Sequence, residues 1–93
     1  MNVDKAKKRI AKLVKKGFNG YPMITIEYFG TNETLATKVA ISFIAEENAE
    51  PQVQKLASSD DVRHDETIQS TLIKIIDRAE AATVTESPNV TLL

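Results

Sequence analysis

The chain of 93 residues contains neither cysteine nor tryptophan, and these absences restrict its chemistry. Without thiols it cannot form zinc fingers, iron–sulfur clusters or cysteine nucleophiles. Small extracellular domains usually depend on disulfides, so the lack of cysteine predicts a reducing, cytoplasmic location. Aromatic residues make up only 5% of the sequence, and the core must therefore consist mainly of aliphatic side chains.

Glycine and long apolar runs are also scarce. The three glycines are scattered, so no glycine-rich phosphate loop or nucleophile elbow is present. No apolar run is long enough to span a membrane, and no signal-peptide core follows the basic N-terminal segment. The hydrophobic content of 42% and charged content of 27% are typical of a small soluble domain.

The charges are unevenly distributed along the chain. Residues 1–16 hold seven of the twelve lysines and arginines but only one of the thirteen acidic residues, a net charge of +6. The remaining 77 residues carry a net charge of −7. Such asymmetry indicates an anionic partner, although an ordinary solvated helix surface can produce the same pattern.

Hydrophobic periodicity predicts an α-β-β-β-α order. We expect a helix over 2–16, with Asn2 or Asp4 as its cap and Gly17 as its stop. Strands are expected over 22–29, 35–45 and 52–57, and a second helix from residue 65 or 66 to 81. Residues 1–82 form one domain in this interpretation; 83–88 form a linker, and 89–93 a frayed tail or short added strand.

The predicted fold class is α+β, a small antiparallel sheet with two helices packed on one face. The first two strands form a hairpin, and the polar third strand suits an edge. The second strand should turn Leu35, Thr37, Val39, Ile41 and Phe43 to the core. The core stripe of the second helix should contain Ile68, Leu72, Ile75, Ile76 and Ala79, with Ile73 off that stripe.

This element order, from Val3 to about Ala81, resembles that of the double-stranded RNA-binding domain. The resemblance implies the fold described above. That family grips phosphates with lysines at the start of its second helix, where this chain has Asp60, Asp61, Asp65 and Glu66. It usually presents a histidine in its first hairpin loop, and residues 30–34 contain none. Any contact with nucleic acid should therefore come from the first helix.

The candidate site for an anionic partner is the outer face of the first helix. Helical spacing places its lysines opposite the apolar stripe. They are suited to neutralising phosphates, although any surface helix must be polar on its outer face and lysine is a good helix former. The residues of this predicted face are Lys5, Lys8, Lys12, Lys15 and Lys16.

Two further groups of residues have a functional and a structural interpretation. The acidic residues near His64, which are Asp60, Asp61, Asp65 and Glu66, could ligate a metal, but they more simply cap the second helix. Apolar residues expected outside the core could form a protein-contact patch or remain scattered. This second group consists of Met23, Phe29, Ile44 and Ile73.

The leading functional expectation is a non-enzymatic binding or regulatory module that acts through protein contacts, including self-association as a homodimer. The alternative is a nucleic-acid-binding protein that uses Lys8, Lys12, Lys15 and Lys16. A small enzyme ranks third because no nucleophile–base arrangement is recognisable. The sequence implies no cofactor, no small-molecule substrate and no membrane partner.

Overall fold

The computed structural model describes residues 3–93, so the candidate cap Asn2 lies outside the described residues. The chain forms a small α+β domain, and the predicted fold class is confirmed. Its helices are α1 (Val3–Lys15) and α2 (Glu66–Ala79), with a short 3-10 helix (Val62–His64) before α2. Its strands are β1 (Met23–Gly30), β2 (Lys38–Ile44), β3 (Gln52–Ala57) and β4 (Thr83–Leu92).

The four strands form one mixed sheet in the order β3-β2-β1-β4. The antiparallel hairpin of β1 and β2 is confirmed, with Ile26 opposite Ile41. The edge position of β3 is also confirmed, and its bounds agree with the prediction. The alternation of β1 and β2 and the polar character of β3 therefore predicted three neighbouring strands, although the loop between β1 and β2 is residues 31–37 rather than 30–34.

The fourth strand is the main departure from the predicted fold. The sequence predicts a linker over 83–88, and this prediction is wrong because β4 begins at Thr83 and pairs with β1 in parallel. The sheet is thus mixed rather than entirely antiparallel. A register shift follows Glu86 and interrupts the alternation of side chains. That irregularity hides the period of two on which a strand prediction rests.

The start of β2 also differs from the prediction. Strand geometry was expected from Leu35, whereas β2 begins at Lys38. The carbonyls of Ala36 and Thr37 accept backbone hydrogen bonds from the segment before α2. Val62 N donates to Ala36 O at 2.7 Å, and Ser58 N donates to Thr37 O at 2.9 Å. Ala36 is consequently buried, while Leu35 is only half-buried.

The end of α1 and both ends of α2 have capping residues. Gly17 adopts a φ of 74°, which confirms it as the stop signal of α1. Asp65 caps α2 by accepting a hydrogen bond from Ile68 N at 3.1 Å. The helix ends at Ala79 rather than at 81, because Glu80 takes the left-handed conformation and returns its N–H to Ile76 and Asp77 carbonyls.

Both helices pack on the same face of the sheet. The core joins Ala6 and Ile10 of α1 to Leu72 and Ile76 of α2, above the inward face of the central strands. On the sheet side it contains Ile24, Ile26, Tyr28, Val39, Ile41, Val84 and Val90. No helix of the described residues is long and apolar enough to cross a membrane.

Candidate anion-binding surface

The lysines of α1 occupy the side of the helix that is turned away from the core. At about 100° per residue, Lys5, Lys8, Lys12 and Lys15 fall within an arc of roughly 80°. Lys16 directly follows the last helical residue, and all five side chains are exposed. These five lysines, which we call the basic face, are the residues that the sequence predicts for an anionic partner.

The orientation of the basic face is set by the opposite side of α1. Ala6 and Ile10 are fully buried, and Leu13 and Val14 pack against the core. Because this apolar stripe packs against the core, α1 cannot rotate about its axis without exposing the stripe to water. The basic face therefore points outward as a consequence of core packing.

The two other cations of α1, Lys7 and Arg9, contact neighbouring elements of the domain and do not belong to the basic face. The Arg9 guanidinium lies 2.7 Å from the Asp77 carboxylate and ties α1 to α2. Lys7 Nζ lies 3.3 Å from His64 Nδ1, beside the 3-10 helix. These contacts flank the basic face on its two sides and hold α1 against the rest of the domain.

Most lysines of the basic face have no acidic partner within the domain. Among the described residues, no carboxylate forms an ion pair with Lys8, Lys12, Lys15 or Lys16. Lys12 and Lys15 lie in the last turn of α1, where cations suit the helix dipole. Their charges are thus available to an external anion.

A cleft of about 390 Å³ borders the basic face, with Lys8 on its rim. Tyr28 lies at its inner side and donates a hydrogen bond of 2.5 Å to Glu86 Oε2. Burial raises the pKa of Tyr28 well above its ordinary value, and the Glu86 carboxylate raises it further. Burial and the Glu86 contact therefore both favour the protonated form of the tyrosine.

The polar groups around Tyr28 are committed to one another. Gln69 is 1% exposed and donates its amide Nε2 to Val62 O at 2.9 Å. No buried side-chain nitrogen or oxygen of the described residues lacks a hydrogen-bond partner. The Tyr28–Glu86 hydrogen bond joins β1 to β4, and Gln69 ties α2 to the 3-10 helix.

Sequence reasoning missed this Tyr28–Glu86–Gln69 group. Tyr28 and Glu86 are 58 residues apart, and no spacing rule connects them. Glu86 was expected in a linker, so its approach to β1 depends on the unrecognised strand β4. The alternation of β1 does predict that Tyr28 faces inward, which is the only signal available in the sequence.

Two of the acidic residues near His64 are used for structure: Asp65 caps α2, as expected, and Asp61 caps the preceding 3-10 helix. Asp61 accepts hydrogen bonds from Arg63 N and Nε, both at 2.9 Å, and from Ala36 N at 3.3 Å. Asp65 accepts from Ser58 Oγ at 2.9 Å as well as capping α2. In the described part of the chain, no group of three acidic or histidine side chains could hold a metal ion.

The predicted protein-contact patch is not continuous. Met23 and Ile44 are direct cross-strand neighbours on the outer face of the sheet, the face away from the helices. Phe29 lies on the same face but pairs with Lys38 at the other end of β1. Six residues at about 3.3 Å each separate Phe29 from Met23, which is roughly 20 Å.

Ile73 does not belong to that patch, and its predicted position outside the core is wrong. It is 3% exposed and belongs to the hydrophobic core. The reason is that α2 is covered by α1 as well as by the sheet, so its buried arc is wider than a single stripe. Ile75, which was expected in the stripe, is only partly buried.

No protein-family model matches the sequence, and no curated protein or solved structure shows significant similarity to it.

Proposed function

We propose that this protein is a non-enzymatic binding module that takes the sugar–phosphate backbone of a nucleic acid on the basic face of α1. The observation that carries this proposal is the outward row of Lys8, Lys12, Lys15 and Lys16, with which no carboxylate of the described residues forms an ion pair. From Lys8 to Lys15 the helix rises through seven residue steps, or about 10 Å. A row of that length can neutralise several consecutive phosphates.

The net charge of the chain, −1, does not oppose this proposal. At physiological salt the Debye length is about 8 Å, so acidic residues farther than that from α1 are largely screened. A phosphate at the basic face therefore experiences mainly the nearby lysines. The lack of cysteine further supports a cytoplasmic location, where nucleic acids are accessible.

The geometry supports binding better than catalysis. The enclosed polar groups are Tyr28, Glu86 and Gln69, and each is engaged within the fold. An enzyme needs titratable groups that face its substrate and whose pKa values are shifted to suit the reaction. The lysines instead lie on an open helix surface, which suits an extended polyanion.

The test compares two variants that each replace three lysines with glutamine. Lys8/Lys12/Lys15→Gln removes charge from the basic face, whereas Lys38/Lys55/Lys74→Gln removes the same charge elsewhere. Binding of a fluorescent oligonucleotide of about 12 nucleotides is measured by anisotropy over a range of salt. Glutamine keeps the helix propensity of lysine, so the fold of α1 is preserved.

We expect the first variant to bind roughly 100-fold more weakly than the wild type near 0.1 M salt, with a salt slope smaller by about 2. The control variant should keep most of the wild-type slope. Equal losses in both variants would mean that only net charge matters, and would contradict a site on α1. A wild-type protein that binds no nucleic acid at low salt would overturn the proposal.

A second candidate function is self-association through the outer face of the sheet. Met23 and Ile44 form an apolar corner there with Val53, which is 56% exposed. The same face carries Glu27 on β1 and Lys55 on β3, in one cross-strand row through Ala40. Acidic and basic groups on one surface allow a second copy to pair with it about a two-fold axis.

Sedimentation equilibrium tests this second candidate. The apparent mass of the wild type should rise with concentration, while Val53→Glu should remain a monomer with an unchanged melting temperature. The control Leu92→Glu changes an equally exposed apolar residue of β4, 57% exposed, on the other side of the sheet. A wild-type monomer mass at every concentration would exclude this mode.

A further inference from the structure

The loop that follows α1 presents an aromatic ring to solvent. Phe18 is 67% exposed, whereas the other phenylalanines, Phe29 and Phe43, are half-buried in the sheet. It lies two residues beyond Lys16 at the end of the basic face. An exposed aromatic two residues after a row of cations is a combination that neither core packing nor solubility requires.

The backbone of this loop is held in place by hydrogen bonds. Asn19 N donates to Thr83 Oγ1 at 2.8 Å, and Thr83 Oγ1 in turn donates to Gly20 O at 2.7 Å. The side-chain amide of Asn19, through Nδ2, also donates to the carbonyls of Lys16 and Gly17. Thr83 is 2% exposed, so the loop is anchored to a buried position at the start of β4.

The ring of Phe18 has one aromatic neighbour. The Tyr21 ring meets it edge-on, with centroids 5.7 Å apart and an interplanar angle of 78°. This contact supports Phe18 while leaving most of its surface open. Gly20, with a φ of 93°, allows the chain to turn between the two rings.

We propose that Phe18 is a stacking platform for a base of single-stranded nucleic acid whose phosphates lie on the basic face. This inference rests on the proposed function and specifies its substrate class. Proteins that bind single strands combine a cationic track with aromatic rings on which bases stack. In a duplex the bases already stack on one another, so no base face is free to stack on the Phe18 ring.

The experiment measures affinities for a single strand of about 12 nucleotides and for a duplex of the same sequence. The variants are Phe18→Ala, Phe18→Leu and Phe18→Tyr, with Leu93→Ala as a control for loss of an equally exposed apolar side chain, 66% exposed. Phe18→Leu keeps apolar bulk without a ring, and Phe18→Tyr keeps the ring. Circular dichroism and thermal melting verify that each variant folds.

We expect Phe18→Ala and Phe18→Leu to weaken single-strand binding roughly 5- to 100-fold, with an unchanged salt slope. Duplex binding should change less than about two-fold, and Phe18→Tyr and Leu93→Ala should resemble the wild type. A single strand carrying 2-aminopurine gives a second readout, because its fluorescence should be quenched by the wild type and less by Phe18→Leu.

The possible failures are distinguishable. If Phe18→Ala and Phe18→Leu bind the single strand as tightly as the wild type, while Lys8/Lys12/Lys15→Gln does not, the platform is wrong and the basic face stands. If Phe18→Leu alone retains affinity, hydrophobic contact replaces stacking and the inference is overturned. If the wild type binds neither probe at low salt, both the inference and the proposed function fail.

Discussion

Two charged regions of this domain are used in opposite ways. Between β3 and α2, Asp61 and Arg63 form an ion pair of 2.6 Å, and Asp65 is engaged by Ser58 and the start of α2. At α1, Lys8, Lys12, Lys15 and the following Lys16 project from the domain, and no carboxylate of the described residues forms an ion pair with them. In the first region the charged groups bond to other groups of the fold, whereas in the second the lysines project into solvent.

The difference shows that the role of a charge depends on its surroundings. The Asp61 side chain is only 10% exposed, and its hydrogen bonds from Arg63 hold its pKa well below the usual range. Its ionised form therefore stabilises the fold. Solvated lysines contribute little to the free energy of unfolding, so their charge remains available to a partner.

Among the substitutions that test this difference, Asp61→Ala should have the largest effect on the free energy of unfolding. The substitution leaves the Arg63 guanidinium without its partner and the buried Ala36 N–H without an acceptor. We expect a loss of about 3 kcal/mol in the free energy of unfolding, measured by urea denaturation. The neighbouring exposed residue gives the control, since Asp60→Ala should change this free energy by less than about 0.5 kcal/mol.

The same variant predicts how the effect depends on pH. Because the folded-state pKa of Asp61 lies below its unfolded value, the stabilisation is fully present above about pH 4 and is lost as the pH falls below that value. The stability difference between wild type and Asp61→Ala should therefore shrink in acid. A difference that stays constant down to about pH 2 would mean that the carboxylate charge is not its source.

The smallest expected effect belongs to the basic face. Lys8/Lys12/Lys15→Gln should change the free energy of unfolding by less than about 0.5 kcal/mol, although it abolishes most of the proposed binding. The same urea titration measures it. A loss comparable to that of Asp61→Ala would show that these lysines stabilise the fold, and the contrast between the two regions would disappear.

Local patterns in the sequence predicted most of the architecture. The apolar stripe of α1, its glycine stop, the β1–β2 hairpin and the bounds of β3 are confirmed. Each depends on residues within a few positions of one another, where backbone geometry dictates which side chains share a face. The lysines of the basic face could be located for the same reason.

Features that join distant parts of the chain could not be predicted. Parallel pairing of β4 with β1 brings Glu86 to Tyr28, and packing of α1 against α2 buries Ile73. The position of Phe18 at the end of the basic face follows from its sequence position, but its exposure does not. An apolar ring in a loop can equally fold into a core, whereas in this structure the loop is held at Thr83 and the Phe18 ring stays 67% exposed.

By itself, then, the sequence determined the helical and strand periodicities, the absence of thiol chemistry and the side of α1 that carries charge. The tertiary structure alone decided which charges are paired, which apolar residues are covered and which edge of the sheet receives β4. The physical reason is the range of the interactions. Periodicity acts over one or two turns of backbone, whereas burial and ion pairing depend on residues brought together by the whole chain.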